Sequence, residues 1–498
     1  MGKLTDKVAK GVFWVLLEKF GIQLAHFVVT LVLARLLTPN DYGTVALLSV
    51  FIAISNVLVD AGFGKALVQK KTATQTDYNT VFYLSMASAA LLYTGLFFSA
   101  PAVARFYGIP ELKIMLRILA LSLIFHSING VQNVELNRKM LFHLSFRISW
   151  VCTIVSAVTG ISFALAGYGP WALVWSSLLG GITGVVARQL VIRWRPSLTF
   201  SLESAKSLFQ FGWKMMAATL LTTAYNNLYA LLIGKFYSRA DLAFVKKGSH
   251  VPRLFFNAAD GTLSRVSFPA LARMQDNPER MRNAMRRMIT CSSFVAFPVL
   301  TLLAMLAKPL ISIVYGNQWL QATPFVMIAS FSLAFRPFDT INLQAINARG
   351  RSDIFLKLVI LRRIAGLVIM LTMLRIGIIP FMIASAIVYG PLGVVVNSLP
   401  NRKLLGYSIV MQACDIFPFV ALSGVLAGFV MVIGLLPADP RILVFPQILA
   451  GAALYLALAV FFRMRPLAEI ASMLLPRVRK RVPGLGAILE QIQRRCAK

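Results

Sequence analysis

The sequence predicts an all-α polytopic membrane protein with about 14 transmembrane helices, organised as two six-helix lobes followed by two C-terminal helices. Of its 498 residues, 58% are hydrophobic and only 14% are charged, a balance outside that of soluble globular proteins. A helix that crosses a bilayer needs roughly 20 predominantly apolar residues. Stretches of that kind begin near residues 11, 42, 78, 112, 144, 169, 207, 242, 285, 319, 354, 376, 415 and 441.

Basic residues collect in every second connecting turn, which predicts the orientation of the chain. Cytoplasmic loops of membrane proteins carry an excess of lysine and arginine. The turns between the predicted spans are short, and none is long enough to form a separate soluble domain. The basic turns therefore face the cytoplasm, together with both termini, and they lie at 65–71, 138–139, 193–206, 273–287, 349–351 and 402–403.

The spans and the basic linker predict five parts of the chain. We expect an N-terminal lobe at 1–192 and a cytoplasmic linker at 193–206, followed by a C-terminal lobe at 207–400. The last two spans occupy 401–463, and a basic amphipathic cytoplasmic tail occupies 464–498. The tail is compatible with a helix on the anionic inner leaflet or with a disordered basic anchor.

Two aspartates indicate an internal repeat. Asp41 in "LLTPNDYGTV" and Asp241 in "KFYSRADLAFV" each follow a small polar turn just before a new span, and six spans separate them. A repeated six-helix bundle explains this spacing. Two N-cap residues at unrelated helix starts explain it equally well.

Composition and motifs narrow the function. The net charge of +32, from 50 Lys+Arg against 18 Asp+Glu, follows from the basic loops, so no nucleic-acid partner is expected. The four cysteines are widely spaced and predict packing residues, not a disulfide framework or a metal site. No nucleotide-binding, zinc-protease or serine-hydrolase motif is present. We therefore expect a protein that is not an enzyme and that has no cofactor.

Polar stripes within apolar spans predict a hydrated path. In "FVKKGSHVPRLFFNAADGTLSRV" a helix starting at Lys246 aligns His250, Arg253, Asn257 and Asp260 on one face. A charge at the bilayer centre costs roughly 2.5–3.5 kcal/mol or more, so such residues should face the bundle interior or a wet cavity. Similar stripes include Gln23 with His26, Asn56 with Asp60, His126 with Asn129 and Asn133, Lys214 with Tyr225 and Tyr229, and Arg336 with Gln344, where Pro337 predicts a kink.

The sign of the predicted cavity favours an anionic solute. Its candidate cations are Lys19, Lys214, Lys246, Arg253, Arg265 and Arg336, and its candidate anions are Glu18, Asp60, Asp260 and Asp339. Arginine in particular suits phosphate oxygens because its planar guanidinium donates two parallel hydrogen bonds. Simpler explanations stay open for some of them: Lys19 can pair with Glu18 or reach the inner surface, and Lys246 and Lys247 can reach outer headgroups. Arg362 and Arg363 are expected at the inner end of the eleventh helix.

Several segments in order resemble a known family. "LARLLTPNDYG" with "VDAGFGKALVQKK", then "YNNLYALLIGKFYSRADL" and "LSRVSFPALARMQDNPERMR" are similar to the Wzx-type polysaccharide and O-antigen flippases of the multidrug/oligosaccharidyl-lipid/polysaccharide (MOP) superfamily. The similarity extends over residues 10 to about 400. It implies two six-helix lobes around a central cavity, with two extra C-terminal helices.

The resemblance also implies an activity and partners. Such flippases move undecaprenyl-pyrophosphate-linked oligosaccharide repeat units across the bacterial inner membrane, so membrane lipids, a polysaccharide polymerase and a chain-length regulator are expected partners. A cation-coupled drug antiporter of the same superfamily and a peptidoglycan-precursor flippase remain alternatives.

The cavity and the implied cargo together assign roles to particular residues. The anionic headgroup is expected to bind Lys19, Lys214, Arg253, Arg265 and Arg336. Sugar or backbone groups are expected at Tyr225, Asn226, Asn227 and Tyr229, and ion coupling or charge balance at Glu18, Asp60 and Asp260.

Overall fold

A computed structural model of the chain describes residues 21–70, 72–139, 141–192, 195–478 and 490. Inside its helices, the side chains at 65, 137, 142, 211, 255, 257–262, 264–266 and 473–478 lie outside that description. The described residues form helices and turns without a strand, so the predicted fold class is confirmed. In this part of the chain, nine helical stretches are long and apolar enough to cross a membrane. The predicted number of about 14 spans stays a prediction.

The chain forms two compact units, Met1–Ala243 and Phe244–Lys498. The predicted five-part division is not tested by this result and stays an expectation. The described helices of the first unit are α1 (Gly21–Leu36), α2 (Pro39–Asp60), α3 (Phe63–Gln69), α4 (Gln75–Tyr107), α5 (Leu112–Ala120), α6 (Ser122–Arg138), α7 (Phe142–Leu165), α8 (Trp171–Ile192) and α9 (Leu202–Phe236). The helix α10 (Arg239–Ala272) begins in this unit and continues into the second.

Helix α2 packs along α9 in the first unit, and α7 packs along α8. Small and branched apolar side chains fill the spaces between the helices. Val59, Ala89 and Leu123 form one buried cluster between α2, α4 and α6. Because lipid tails solvate apolar side chains as well as a protein core does, such close packing and the polar contacts below hold the helices together.

A sharp break follows the helix of the second predicted span. Helix α2 ends at Asp60, and the next two residues adopt left-handed backbone conformations, with φ of 43° at Ala61 and 74° at Gly62. The chain then resumes as α3. A Cβ atom on Gly62 would lie 2.2 Å from the backbone oxygen of Gly212 on α9. The positive φ and this close approach together require glycine at position 62.

The two repeated aspartates are helix N-cap partners. The Thr38 backbone N–H donates to the Asp41 carboxylate at 2.9 Å, and the Ser238 backbone N–H donates to the Asp241 carboxylate at 3.1 Å. In each pair the hydroxyl also bonds to the carboxylate at 2.7 Å. Thr38 is the N-cap of α2 and Asp41 is the N3 residue of its capping box, so the aspartates contribute to capping, although Asp41 is not itself the N-cap. The internal repeat stays a prediction.

The second unit is built around α11. Its described helices are α11 (Pro278–Met305), α12 (Ala307–Val314), α13 (Thr323–Ala334), α14 (Arg336–Ala348), α15 (Ser352–Met373), α16 (Ile378–Tyr389), α17 (Pro391–Leu405), α18 (Ile409–Gly434), α19 (Pro440–Phe461) and α20 (Arg465–Val478). Helices α13, α14, α18 and α20 all pack on α11. The interruption predicted at Pro337 is confirmed, because α13 ends at Ala334 and α14 begins at Arg336.

The predicted amphipathic tail is helical over Arg465–Val478. Leu467, Ala468 and Ala471 of α20 are buried, and Arg287 on α11 donates to the Glu469 carboxylate at 2.7 Å. This part of the tail is therefore a helix held against α11. The basic residues that follow it lie outside the described part of the chain.

Candidate functional site

A groove of about 440 Å³ runs along one face of α9, and Lys214 lies at one end of it. Its other lining residues are Met215, Ala218, Thr219, Thr222 and Thr223. The hydroxyls of Thr219 and Thr222 donate to the carbonyl oxygens of Met215 and Ala218, at 2.7 and 2.9 Å. The hydroxyl hydrogens are thus bonded within α9, and the hydroxyl oxygens remain as acceptors.

The predicted sugar-contacting residues continue the same helix. Tyr225 and Tyr229 follow Thr222 at steps of three and four residues, which places them on one face of α9. Asn226 is exposed, and both tyrosines are partly buried. The Asn227 side chain turns back and donates to the Thr223 carbonyl at 2.8 Å. From Lys214 to Tyr229 this polar face extends about 22 Å along the helix.

Asp60 lies at the point where α2 ends, and it pairs with a histidine of α6. The Nε2 atom of His126 lies 3.2 Å from Asp60 Oδ1, and the side chains are 38% and 57% exposed. A carboxylate with this exposure inside a membrane bundle must face water, because contact with acyl chains would cost several kcal/mol.

Arg188 on α8 extends this polar region, and the sequence analysis did not select it. Its guanidinium donates to the side-chain oxygens of Asn129 and Asn133 at 2.9 and 3.0 Å, and to the Gly184 carbonyl at 3.0 Å. His126, Asn129 and Asn133 occupy one face of α6, as predicted. An arginine within the apolar stretch "GVVARQLVI" was the signal that could have identified it.

The break in α2 brings the two polar regions near each other. Asp60 precedes Gly62 by two residues, and Lys214 follows Gly212 by two residues. Because α2 and α9 run antiparallel, with Gly43 next to Arg239 and Gly62 next to Gly212, the exposed carboxylate on α2 and the exposed ammonium on α9 both lie near the same helix contact. The structure describes six predicted site residues in the first unit, and of these six only Asp60 and Lys214 carry a charge.

The structure describes α10 as a helix, with Pro252 and Pro269 inside it. Arg253 is exposed on this helix. The side chains of Arg265 and Asp260 lie outside the described residues, as do Glu18 and Lys19 altogether. Lys247, predicted to reach headgroups, instead lies in the second unit with its Nζ 5.3 Å from the ring centre of Tyr315, a cation–π distance.

Arg336 is exposed at the first position of α14, but Asp339, one turn later, is not available to a substrate. Asp339 is bonded by Arg362 of α15 at 2.6 and 2.7 Å, with 4% and 12% side-chain exposure. The prediction that Asp339 faces the cavity is therefore wrong, and Arg362 is a packed partner of a carboxylate. Asn397 also donates to this carboxylate.

The pKa values of two side chains near helix ends are shifted by their surroundings. A hydrogen bond from Arg351 lowers the pKa of Asp353 to about 2 at the exposed start of α15. Burial and the hydrogen bond to Asp415 raise the pKa of Tyr407, which lies between α17 and α18. Within the described residues, no cluster of three histidine, cysteine or acidic side chains could hold a metal ion.

The family described as polysaccharide biosynthesis protein matches residues 32–324. The chain belongs to this family. Its fold is similar to that of the lipid II flippase MurJ in an inward closed conformation, with a TM-score of 0.73 over 91% of this chain and 99% of that one. The two sequences are 13% identical. An inward-facing multidrug MATE transporter of the MOP superfamily is 14% identical, with a TM-score of 0.57 over 77% and 94%.

Curated relatives of this family member act in the synthesis of several polysaccharides. The chain is 24% identical to the teichuronic acid biosynthesis protein TuaB of Bacillus subtilis, over 71% of this chain and 74% of the relative. It is 25% identical to the succinoglycan biosynthesis transport protein ExoT of Rhizobium meliloti, over 65% and 66%. It is 22% identical to the lipopolysaccharide biosynthesis protein WzxC of Escherichia coli, over 71% and 72%. The chain is thus a helical, multi-pass membrane protein of polysaccharide biosynthesis with the fold of the MOP transporters.

Proposed function

We propose that this chain is a flippase that moves undecaprenyl-pyrophosphate-linked oligosaccharide repeat units from the inner to the outer leaflet of a bacterial inner membrane. The observation that carries the proposal is that exposed Lys214 and exposed Asp60 lie near the same contact of the antiparallel helices α2 and α9 in a membrane protein. Charged groups at such positions need water. Family membership and the named relatives support a polysaccharide precursor as the transported molecule, which would pass through the water-filled region near Asp60 and Lys214.

Lys214 is the described residue best placed for the diphosphate. A pyrophosphate headgroup cannot cross hydrocarbon without replacement of its hydration shell. An ammonium group donates three hydrogen bonds and carries the charge opposite to that of the headgroup. Arg253 and Arg336 are exposed cations that supply further donors in the proposal, as do Lys19 and Arg265 by their sequence positions.

The α9 polar face serves the glycan in this proposal. Tyr225, Asn226 and Tyr229 follow the groove, and amide and phenol groups form the hydrogen bonds that sugar hydroxyls require. Asn227, whose amide donates to the Thr223 carbonyl, is the fourth residue of this proposed contact. The lobes then alternate between inward-open and outward-open states, while the polyprenyl tail stays in lipid.

Asp60 and His126 form the coupling pair of the proposal. Their contact, with His126 Nε2 and Asp60 Oδ1 3.2 Å apart, joins α6 to the end of α2. Glu18 and Asp260 are further acidic candidates by sequence. The protein is expected in the inner membrane with both termini in the cytoplasm, next to a polysaccharide polymerase and a chain-length regulator.

The experiment that tests the function is deletion of the gene in its natural host. The account expects a lipid-linked repeat unit to accumulate on the inner leaflet, and wild-type protein to restore its export. Lys214→Gln should restore export poorly and Lys214→Arg should restore it well, because only the second keeps the charge. If no lipid-linked glycan accumulates, the proposed function is wrong.

The Asp60–His126 pair favours a second candidate, a cation-coupled small-molecule antiporter of the same superfamily. That protein would show acid-dependent drug efflux that is lost on Asp60→Asn and retained on Lys214→Gln. A peptidoglycan-precursor flippase would instead rescue a strain that lacks that activity. Only the proposed polysaccharide flippase would restore export of the accumulated glycan when the wild-type gene is returned. This result therefore distinguishes it from the antiporter and from the peptidoglycan-precursor flippase.

A further inference from the structure

Residues 195–201 lie between α8 and α9, and hydrogen bonds fix this segment to the start of α4. The Asn79 amide donates to the hydroxyl oxygens of Ser197 and Thr199 at 2.5 and 2.6 Å. The Ser201 backbone N–H donates to the Thr80 hydroxyl at 3.2 Å. Asn79 is fully buried. Two side chains and one backbone N–H of the segment thus hold it against α4.

Three large apolar side chains of this segment and of the first residue of α9 are exposed. Leu198 is 96% exposed, Phe200 52% and Leu202 76%. The chain bends at Leu198, where the Thr199 N–H donates to the Ser197 carbonyl at 2.7 Å, and the bonds to α4 hold the segment in this conformation. A row of large apolar residues facing water is unfavourable, and the hydrogen bonds prevent the segment from turning them inward.

The position of the segment along α4 places it at the membrane surface. Helix α4 has 33 residues and is therefore about 50 Å long. A bilayer with its headgroups is about 40–45 Å thick, and membrane helices tilt by about 20° on average. The first turns of α4, which hold Asn79 and Thr80, then fall in the headgroup layer.

A tyrosine and two basic residues agree with that depth. The Tyr83 hydroxyl donates to the Ser197 carbonyl at 3.2 Å, and tyrosines are enriched at both membrane interfaces. Arg195 and Lys206 are exposed on either side of the apolar row. Exposed basic residues next to apolar ones are attracted to the anionic lipids of the inner leaflet.

We propose that residues 195–202 form an interfacial anchor that inserts Leu198, Phe200 and Leu202 into the acyl boundary of the inner leaflet. The occupant of this surface is anionic lipid. A cytoplasmic protein partner fits less well, because the segment lies at headgroup depth between two basic side chains. The anchor fixes the depth at which α9 enters the membrane, and it does not depend on the identity of the transported molecule.

The test measures the lipid contact of single positions in the full chain. The four native cysteines are replaced by alanine, and one cysteine is introduced as Leu198→Cys, Phe200→Cys or Leu202→Cys. Each variant is labelled with an environment-sensitive fluorophore and placed in nanodiscs of phosphatidylethanolamine and phosphatidylglycerol. Asp276→Cys is the matched control, because it is an exposed position in the loop between α10 and α11, predicted to face the same side.

The proposal expects blue-shifted emission and strong quenching by spin-labelled lipid at all three anchor positions, and neither effect at position 276. Replacing phosphatidylglycerol by phosphatidylcholine should weaken the quenching, because Arg195 and Lys206 lose their counter-charge. Emission typical of water at the three positions, with quenching only by soluble iodide, would overturn it. If the three positions contact lipid equally well with and without phosphatidylglycerol, the proposed attraction of Arg195 and Lys206 to anionic lipid is wrong.

Discussion

Replacing Asp339 by asparagine should destabilise the second unit strongly. The wild-type carboxylate accepts from Arg362 Nη1 at 2.6 and 2.7 Å, and the side chains are only 4% and 12% exposed. Asp339→Asn leaves the guanidinium charged, nearly dry and without its counter-ion. Breaking a buried pair in this way costs about 3–5 kcal/mol.

The assay is unfolding of the purified protein in mixed micelles by titration with sodium dodecyl sulfate, followed by circular dichroism. Asp353→Asn is the control, because the Arg351–Asp353 pair is about half exposed on both sides and exposed pairs contribute little. The double variant Asp339→Leu with Arg362→Met should recover much of the loss, since it removes both charges together. Wild-type stability of Asp339→Asn would refute the reasoning.

Three further predictions concern the first unit. Lys214→Gln should reduce export in cells while the unfolding transition stays at its wild-type position, because the side chain is exposed; an unchanged export rate would remove Lys214 from the site. Gly62→Ala should destabilise more than Gly108→Ala, because both glycines have positive φ, which costs about 1 kcal/mol, but only Gly62 also meets backbone; equal losses of unfolding free energy would contradict this. Asp60→Asn and His126→Gln should reduce export to a similar extent, since each removes one half of the same contact; a loss of export in only one of the two variants would contradict a shared role.

Much of the architecture follows from local sequence signals. Apolar length and charge predict membrane helices, and an acidic residue after a polar turn predicts the caps at Asp41 and Asp241. Pro337 predicts the break between α13 and α14, because proline disrupts the hydrogen bonding of the preceding turn. Each of these signals depends on a few adjacent residues, which is why it can be read without the fold.

Long-range contacts were not accessible in this way. The break at Ala61 occurs at a residue with no strong turn preference, next to a glycine whose role depends on contact with α9. Arg362 and Asp339 are 23 residues apart, and hydropathy alone gives no sign that they meet. Arg188 was missed because a single arginine near the end of a span resembles an interfacial residue, until its bonds to Asn129 and Asn133 are known.

The central claim is best tested with purified protein in proteoliposomes and a polyprenyl-pyrophosphate-linked oligosaccharide that carries a fluorescent sugar. An impermeant quencher added outside measures how fast labelled lipid moves between leaflets. The account predicts faster movement than in protein-free liposomes, and a large part of that gain lost with Lys214→Gln. Movement no faster than in protein-free liposomes, for protein shown to be folded, would contradict it.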